Sequence, residues 1–265
     1  TLTDPAVLST TVLVSSNHTG ADISCAGASD GAITATPLGG TGAYSYVWYS
    51  NVAMTISIGQ TTPTAVNLNA GTYYVRVVDA NGCEVSGSAT LTDPPALTLG
   101  ITINSDFNGS PISCNGELDG VVTATVGGGT GVYSYEWYDD ASLTSAIGQS
   151  TATASGLGAG SYWVEITDEN LCTISTSVTL SEPAVVTASA IVSSNHNGSN
   201  ISCSGLSDGE ATAIPGGGTA PYTYVWYSDA ALSIPIGQTG IVATLLSAGT
   251  YYVEITDDNG CTESA

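Results

Sequence analysis

Residues 68–83 read LNAGTYYVRVVDANGC, and this segment organises the whole chain. It returns at residues 157–172 as LGAGSYWVEITDENLC and at residues 246–261 as LSAGTYYVEITDDNGC. The interval is 89 residues each time, with no insertion or deletion between copies. Self-similarity at a fixed period indicates an array of one folded unit, and 89 residues is an ordinary size for a small domain. The pattern therefore predicts three equivalent domains.

Each repeat is predicted to be built from strands alone. Short runs rich in Val, Thr and aromatic residues lie between turns of Gly, Pro, Asn and Asp, and long helical periodicity is missing. In the first repeat we place the strands at residues 6–15, 32–36, 44–49, 56–58, 64–68, 72–78 and 85–91. Seven short strands in a unit of this size predict an all-β fold, a tandem array of three immunoglobulin-like β-sandwich repeats.

Aromatic residues support the sandwich prediction. Leu68, Gly71 and Tyr73 have the layout of a tyrosine corner, in which a Tyr hydroxyl at the start of the sixth strand bonds nearby backbone. Trp48 and its two equivalents fall on the third strand, where such folds bury a tryptophan. The equivalents of Trp48 are Trp137 and Trp226.

The repeat boundaries are predicted at residues 1–92, 93–181 and 182–265, with the last strand of the third repeat incomplete. Ala265 aligns with Gly87, partway along the final strand, and Thr1 aligns with Thr90, near the end of that strand. We expect a segment of a longer array. The alternative is a self-assembling subunit whose incomplete sheet is finished by the first strand of the next chain, as in donor-strand addition.

The charge balance excludes several classes of partner. The net charge is −22, and Arg76 is the one Lys or Arg in the sequence. Binding to nucleic acid or to an anionic membrane surface needs basic residues, so both are excluded. No apolar run of about 18 residues is present, so we expect no membrane insertion. Since 9% of residues are charged and the mean hydropathy is +0.22, the chain is not a disordered acidic tail.

Two cysteines occupy the same two places in every repeat, which indicates a disulfide framework in an oxidising, extracellular compartment. Pairing within a repeat, such as Cys25 with Cys83, is favoured and closes a loop of 58 residues. The alternative joins Cys25 to Cys172 of the next repeat, because the two positions within one repeat fall at opposite ends of the standard topology. The predicted disulfide cysteines are Cys25, Cys83, Cys114, Cys172, Cys203 and Cys261.

The motifs of each repeat follow one another in a fixed order. In the first repeat they fall in residues 23–31, 39–48, 70–73 and 79–83. Joined in this order they resemble the SprB repeat, which forms the tandem repeats of large surface adhesins in Bacteroidetes, including the gliding-motility adhesin. The resemblance implies a very large secreted protein that is exported by the type IX system and displayed as a surface filament. It implies no catalytic residue. Leu171 departs from the pattern, since it replaces a turn glycine.

The hairpin that contains Asp79 and Asn81 is predicted to be a turn, because Asp and Asn bond local backbone and Gly accepts positive φ. A second hypothesis places Ca²⁺ at the junctions, where this hairpin meets acidic residues of the linker and of the preceding repeat. Clusters of six to eight oxygen ligands suit that ion. The candidate calcium ligands are Asp30, Asp93, Asp119, Asp168, Asn170, Glu182, Asp257 and Asn259.

Two kinds of sugar contact are also predicted. One loop of each repeat carries N-glycosylation patterns, at Asn17, Asn108, Asn197 and Asn200. Aromatic residues that we expect to be exposed are candidate glycan-stacking platforms, namely Tyr49, Tyr74 and Trp163.

An enzyme is not expected, since the chain has no Lys, no His-based triad and no phosphate loop before a helix. The sequence therefore predicts a structural repeat segment of an extracellular, filamentous cell-surface adhesin that serves in adhesion or gliding motility. Its partners are expected to be neighbouring repeats, copies of itself in a filament, or a surface polysaccharide. The competing functional hypothesis is an array of carbohydrate-binding modules.

Overall fold

The computed structural model describes residues 3–265, and their regular elements are eighteen β-strands. Within this described part of the chain, no helix has the length and apolar character needed to cross a membrane. The all-β prediction is confirmed, and six strands recur in each of three repeats.

The strand bounds follow the repeat. The first repeat contains β1 (Ser9–Val14), β2 (Gly31–Leu38), β3 (Ser45–Tyr49), β4 (Thr64–Leu68), β5 (Gly71–Val78) and β6 (Glu84–Leu91). The second contains β7 (Thr98–Ile103), β8 (Gly120–Gly127), β9 (Ser134–Tyr138), β10 (Thr153–Leu157), β11 (Gly160–Thr167) and β12 (Thr173–Leu180). The third contains β13 (Thr187–Val192), β14 (Gly209–Gly216), β15 (Thr223–Tyr227), β16 (Val242–Leu246), β17 (Tyr252–Thr256) and β18 (Thr262–Ser264).

Each repeat has two three-stranded antiparallel sheets. In the first repeat their orders are β1-β2-β4 and β3-β5-β6, and the other repeats reproduce both orders. The crossing of the chain between two small sheets is the immunoglobulin-like arrangement that the strand spacing predicts. One predicted strand, at residues 56–58, does not form, because the segment makes only an isolated bridge between Tyr49 and Ser57.

The described chain divides into two compact units. The first consists of Thr1–Gly100, Thr125–Glu136 and Val164–Thr176, and the second of Ile101–Ala124, Trp137–Trp163 and Ser177–Ala265. Each unit therefore contains one whole outer repeat and part of the middle repeat.

The predicted tryptophan core is confirmed. Trp48 is fully buried, and its indole N–H donates to the Thr62 carbonyl at 2.9 Å. Trp137 and Trp226 are equally buried and make the equivalent bonds, to Thr151 and Gly240. Each indole thus contributes its apolar area without leaving a buried donor unpaired.

The tyrosine corner is also confirmed. The Tyr73 hydroxyl donates to the Asn69 carbonyl at 3.2 Å, and Tyr162 and Tyr251 repeat this bond four residues back along the chain. The corner fixes the start of β5 and of its equivalents.

A leucine at the end of the last strand closes the sandwich in two repeats. Leu91 and Leu180 are 1% and 2% exposed. Leu91 lies so close to Gly31 that a Cβ on that glycine would stand 2.6 Å from the Leu91 Cδ1 atom. In the third repeat β18 has three residues, and the position equivalent to Leu91 lies beyond Ala265.

Candidate interaction site: the joint between repeats

A buried carboxylate shapes the hairpin that follows β5. Asp79 is 6% exposed, and its Oδ1 accepts the backbone N–H groups of Asn81 and Cys83 at 2.9 and 2.8 Å, while its Oδ2 accepts that of Thr41 at 2.9 Å. The N–H of Cys83, followed by those of Thr41 and Asn81, lowers the pKa of Asp79 against the opposing effect of desolvation. Asp168 and Asp257 accept the same three bonds in their repeats.

The turn itself requires a left-handed residue. Gly82 and Gly260 have φ values of 82° and 88°, and Leu171 adopts the same region at 67°. Leu171 is 80% exposed, so the substitution leaves its side chain in solvent and keeps the turn. The carboxylate bonds of Asp168 hold this hairpin although the leucine is unfavourable there.

The hairpin of the second repeat contacts the loop before β2, and we name this contact the first joint (residues 18–25 with 168–172). Asn170 donates from Nδ2 to the carbonyls of His18 and Ser24 at 3.1 and 3.2 Å, and it accepts from the Thr19 hydroxyl at 2.8 Å. One amide side chain thus satisfies three polar groups of the preceding repeat.

The second joint (residues 107–114 with 257–261) repeats this geometry. Asn259 donates to the carbonyls of Ser113 and Phe107 at 3.0 and 3.4 Å. Asn108 takes the place of Thr19 and donates to the Asn259 Oδ1 at 2.7 Å and to Asp258 at 2.8 Å. Because the contacts to carbonyls are preserved while nearby side chains change, the asparagine and the backbone define the joint.

A disulfide crosses each joint. Cys25 is bonded to Cys172, and Cys114 to Cys261, with Cα–Cα distances of 5.7 Å in both. The favoured pairing within repeats is therefore wrong, and the alternative pairing between successive repeats is the one that forms. Cys83 and Cys203, which were also predicted to be bonded, are free and exposed.

The strand layout explains the correction. The start of β2 pairs with the end of β4, since Gly31 faces Leu68, and β5 begins nearby at Gly71. Cys83 follows the far end of β5, which is eight residues long, so roughly 25 Å separates it from the β2 start. Disulfide partners need Cα atoms within about 7 Å. A bond within one repeat is excluded by this distance.

Hydrogen bonds also hold the linker between the first two repeats. Asp22 of the first repeat accepts from the Thr92 N–H and hydroxyl at 2.9 and 2.7 Å. The Asp93 carboxylate accepts from the Gly27 N–H at 3.2 Å, and the Pro95 carbonyl accepts from Gly129 of the second repeat at 2.7 Å. The linker is therefore bonded to both of its neighbours within about four residues.

The linker of the third repeat is held by related contacts. Glu182 accepts from the Asn115 amide and the Gly116 N–H at 2.8 and 2.7 Å, and the Ala184 carbonyl accepts from Gly218 at 2.8 Å. The neighbouring Gly217 explains the glycine runs, because a Cβ there would lie 1.9 Å from the Val185 carbonyl oxygen. A glycine is needed where the linker crosses this loop.

The candidate calcium ligands are distributed among these contacts. Asp30 and Asp119 accept the N–H groups of Ser24 and Ser113 at 3.1 and 3.2 Å, and the other candidates have the roles given above. Among residues 3–265, no group of three or more His, Cys, Asp or Glu side chains is arranged to hold a metal ion. Calcium binding stays a prediction. In the structure these side chains form hydrogen bonds to the backbone and to neighbouring repeats.

The sugar-contact residues differ in their surroundings. Asn17, Asn197 and Asn200 are exposed, whereas the exposed Asn108 uses its amide nitrogen in the second joint. Tyr49 is 7% exposed and lies under Arg76, 6.0 Å from the guanidinium carbon to the ring centroid, so its predicted exposure is wrong. Tyr74 and Trp163 are half-buried, and glycan stacking on them stays a prediction.

Sequence reasoning missed the use of Asn170 and Asn259 as hydrogen-bonding residues of the joints. The signal was present, since an asparagine stands two residues before the second cysteine in every repeat. Their partners are mostly carbonyl oxygens, which no sequence pattern marks.

Comparison with known families assigns the repeat. The SprB repeat model matches residues 18–53, 107–142 and 196–231, and each match contains the first cysteine and the core tryptophan of its repeat. The SprB repeat model therefore matches one segment at the same place in each of the three repeats.

A search of curated proteins found no match. Among solved structures, the three N-terminal domains of the bacteriophage RB49 Highly Immunogenic Outer Capsid protein share 14% identity, with a TM-score of 0.46, over 94% of this chain and 91% of that one. The N-terminal eight Ig domains of Down Syndrome Cell Adhesion Molecule share 16% identity, with a TM-score of 0.31, over 100% of this chain and 41% of that one. Drosophila OTK extracellular domains 3–5 share 13% identity, with a TM-score of 0.26, over 90% of each chain.

Proposed function

We propose that this chain is a non-enzymatic, load-bearing segment of an extracellular adhesin, part of a cell-surface filament that serves in adhesion or gliding motility. The observation that carries the proposal is the disulfide across each joint, from Cys25 to Cys172 and from Cys114 to Cys261. A bond between successive repeats transmits tension from one sandwich to the next without relying on the packing of either.

The linker contacts support the same role. Thr92, Asp93 and Pro95 are hydrogen-bonded to residues on both sides, which restrains hinging between the first repeat and the part of the second repeat that it contacts. Proline adds a fixed φ and limits the residue before it. A spacer needs this restraint, whereas a chain of independently moving binding modules does not.

The composition supports an extracellular place of action. Disulfides form and persist in oxidising environments, and two are present here. A surface rich in Thr, Ser and Gly with a net charge of −22 keeps a long array soluble. Export by the type IX system is part of this proposal.

The proposal is tested by pulling single molecules held at their two ends. We expect the oxidised chain to keep its joints closed at forces that separate them in a variant with Cys25, Cys114, Cys172 and Cys261 all changed to Ser. The matched control carries Cys83→Ser and Cys203→Ser, which leave both bonds intact. Equal resistance of the four-serine variant and the control would contradict a load-bearing role.

A further inference from the structure

One segment of each repeat bonds the edge strands of both sheets. In the first repeat it comprises residues 56–60, and we name it the edge segment; its equivalents are residues 145–149 and 234–238. β3 and β4, which it bonds, are each the last strand of a three-stranded sheet. We propose that the glutamine of the edge segment closes a strand-pairing surface on β4, which would otherwise pair with β4 of a second copy of this chain.

The backbone of the edge segment is fixed to β3. The Ile58 N–H donates to the Trp48 carbonyl at 3.0 Å, and the Trp48 N–H donates to the Gln60 carbonyl at 3.2 Å. The other core tryptophans make the same two bonds, Trp137 with Ile147 and Gln149, and Trp226 with Ile236 and Gln238. The glutamine therefore stands at a defined place beside the third strand of every repeat.

The side chain of this glutamine crosses to β4 and bonds both backbone groups of one residue. Gln60 Oε1 accepts the Val66 N–H at 2.8 Å, and Gln60 Nε2 donates to the Val66 carbonyl at 2.7 Å. The other two glutamines of the chain make the same pair of bonds, Gln149 with Ser155 at 2.9 and 2.8 Å, and Gln238 with Thr244 at 2.8 and 2.6 Å. One primary amide thus occupies the N–H and C=O pair that a neighbouring strand would bond.

A β-bulge lies at the same point of the strand. The register of β2 and β4 shifts between Gly31 and Ile33, and Asn67, which follows the bonded residue, has a φ of 56°. The other repeats show the same shift, with φ values of 70° at Gly156 and 57° at Leu245. Bulges are one of the devices by which proteins keep an edge strand from pairing with another chain. The bulge and the glutamine therefore protect one position together.

The side chains of β4 offer no such protection. β4, β10 and β16 read TAVNL, TASGL and VATLL, without a charged residue or a proline, and the chain contains no lysine. Lysine, other charged residues and proline are the usual protection of natural edge strands. Val66, Ser155 and Thr244 are exposed, so a second strand reaches their backbone once the amide is removed.

A second copy of the same chain is the occupant that this edge fits. Two identical edges that meet about a twofold axis place β4 antiparallel to β4, which is the geometry of an ordinary ladder. Neither strand brings a charge to the contact. The net charge of −22 repels whole copies at longer range, and about 1 M salt removes this repulsion because the Debye length falls to about 3 Å.

An alanine at one glutamine tests the proposal. In about 1 M salt we expect Gln60→Ala to form dimers that do not grow further, because one edge per chain is open, whereas the parent protein stays monomeric. The variant with Ala at Gln60, Gln149 and Gln238 should form larger multimers. Sedimentation over a range of concentrations measures the association. All proteins carry Cys83→Ser and Cys203→Ser, so that oxidation of free thiols does not join copies.

Two further variants separate edge protection from a general loss of stability. Asn51 Oδ1 accepts the N–H groups of Thr55 and Ile56 at 3.1 and 2.9 Å, so Asn51→Ala loosens the edge segment without a change in charge and without touching β4. We expect this control to stay monomeric. Gln60→Glu loses the bond to the Val66 carbonyl but leaves a charge on the edge, and it should also stay monomeric.

Amide hydrogen exchange locates the contact. At low concentration the Val66 N–H should exchange about fivefold faster in Gln60→Ala than in the parent, which corresponds to the loss of about 1 kcal/mol of hydrogen bonding. When the variant dimerises, the protection of residues 64–68 should return. The Asn51→Ala control should leave the exchange of residues 64–68 unchanged at both concentrations.

Four outcomes would overturn the proposal. They are a Gln60→Ala variant that stays monomeric, a Gln60→Ala variant that loses its fold, association of Gln60→Glu or Asn51→Ala to the same extent, and dimers in which residues 64–68 gain no protection. The inference concerns contacts between edges of neighbouring copies. Its failure therefore leaves the proposed load-bearing role, which is tested by pulling, unaffected.

Discussion

The Cys25 end of the first sandwich and the Cys203 end of the third are built from equivalent residues but differ in how far those residues are shielded from solvent. Ile23 is fully buried and Cys25 is half-buried, whereas Ile201 is half-buried and Cys203 is exposed. The first end has a closing leucine and the hairpin of the next repeat against it, and the third has neither. The Cys25 end is therefore covered from two sources, the last strand of its own repeat and the hairpin of the next repeat.

The largest expected effect comes from making the first sandwich resemble the third. Leu91→Ala should lower the free energy of unfolding of the first sandwich by about 2–5 kcal/mol, because it removes a buried leucine and leaves a cavity. Denaturant unfolding monitored by tryptophan fluorescence measures the loss. Leu118→Ala, at a position that is 67% exposed, is the control and should be nearly neutral. Similar losses for the two variants would mean that the closing leucine is not what separates the two ends.

The reverse change should make the third sandwich resemble the first. Adding Ser-Val-Thr-Leu after Ala265 copies residues 177–180, extends β18 and places a leucine where Leu180 lies against Gly120 in the second repeat. We expect a gain of about 2 kcal/mol in unfolding free energy from burial of this side chain. The matched extension Ser-Val-Thr-Ser adds the same backbone without the leucine. If both extensions stabilise equally, burial of the leucine beside Gly209 is not what stabilises the sandwich.

The smallest effect concerns a feature that the hairpins of the first and second repeats share. The hairpin carboxylate is the same whether the hairpin is docked, as for Asp168, or bare, as for Asp79. The pKa of Asp79 is lowered below its ordinary value of 3.8, so its stabilising contribution is present above that value and is lost as the pH falls through the lowered pKa.

We therefore expect Asp79→Asn to lower the melting temperature at pH 7, and the gap from the wild type to close as the solution is acidified below 3.8. Melting curves of both proteins over this range provide the measurement. Asp4→Asn, which changes an exposed residue, is the control and should leave the melting temperature at pH 7 nearly unaltered. A gap for Asp79→Asn that is independent of pH would show that the carboxylate charge does not hold the bare hairpin.

The fold was predictable because its causes are local and repeated. Alternating residues place the strands, Gly71 and Tyr73 mark the corner, and Trp48 marks the core, each within a few residues of its partners. The strand predicted at residues 56–58 was wrong, since only an isolated bridge forms at Ser57. Whether a short edge segment pairs depends on neighbours that the segment itself does not specify.

The joint was harder to predict because its contacts join residues about 150 positions apart. Cys25 and Cys172 are 147 residues apart, and the choice between two pairings depended on which end of the sandwich each cysteine occupies. The partners of Asn170 are mainly backbone carbonyls, which carry no signature in the sequence. Tyr49 was predicted to be exposed because strand alternation turns its ring outward, whereas Arg76 lies over that ring.

The two disulfides overlap along the chain, since the loop closed by Cys114 and Cys261 begins inside the one closed by Cys25 and Cys172. The shortest covalent route between the two termini runs to Cys25, crosses to Cys172, returns along the backbone to Cys114 and crosses to Cys261. This route contains roughly a third of the backbone, so even a completely unravelled chain reaches only roughly a third of its full contour length. Under force, the two disulfides would therefore limit the extension of the chain long before the polypeptide reaches its full contour length.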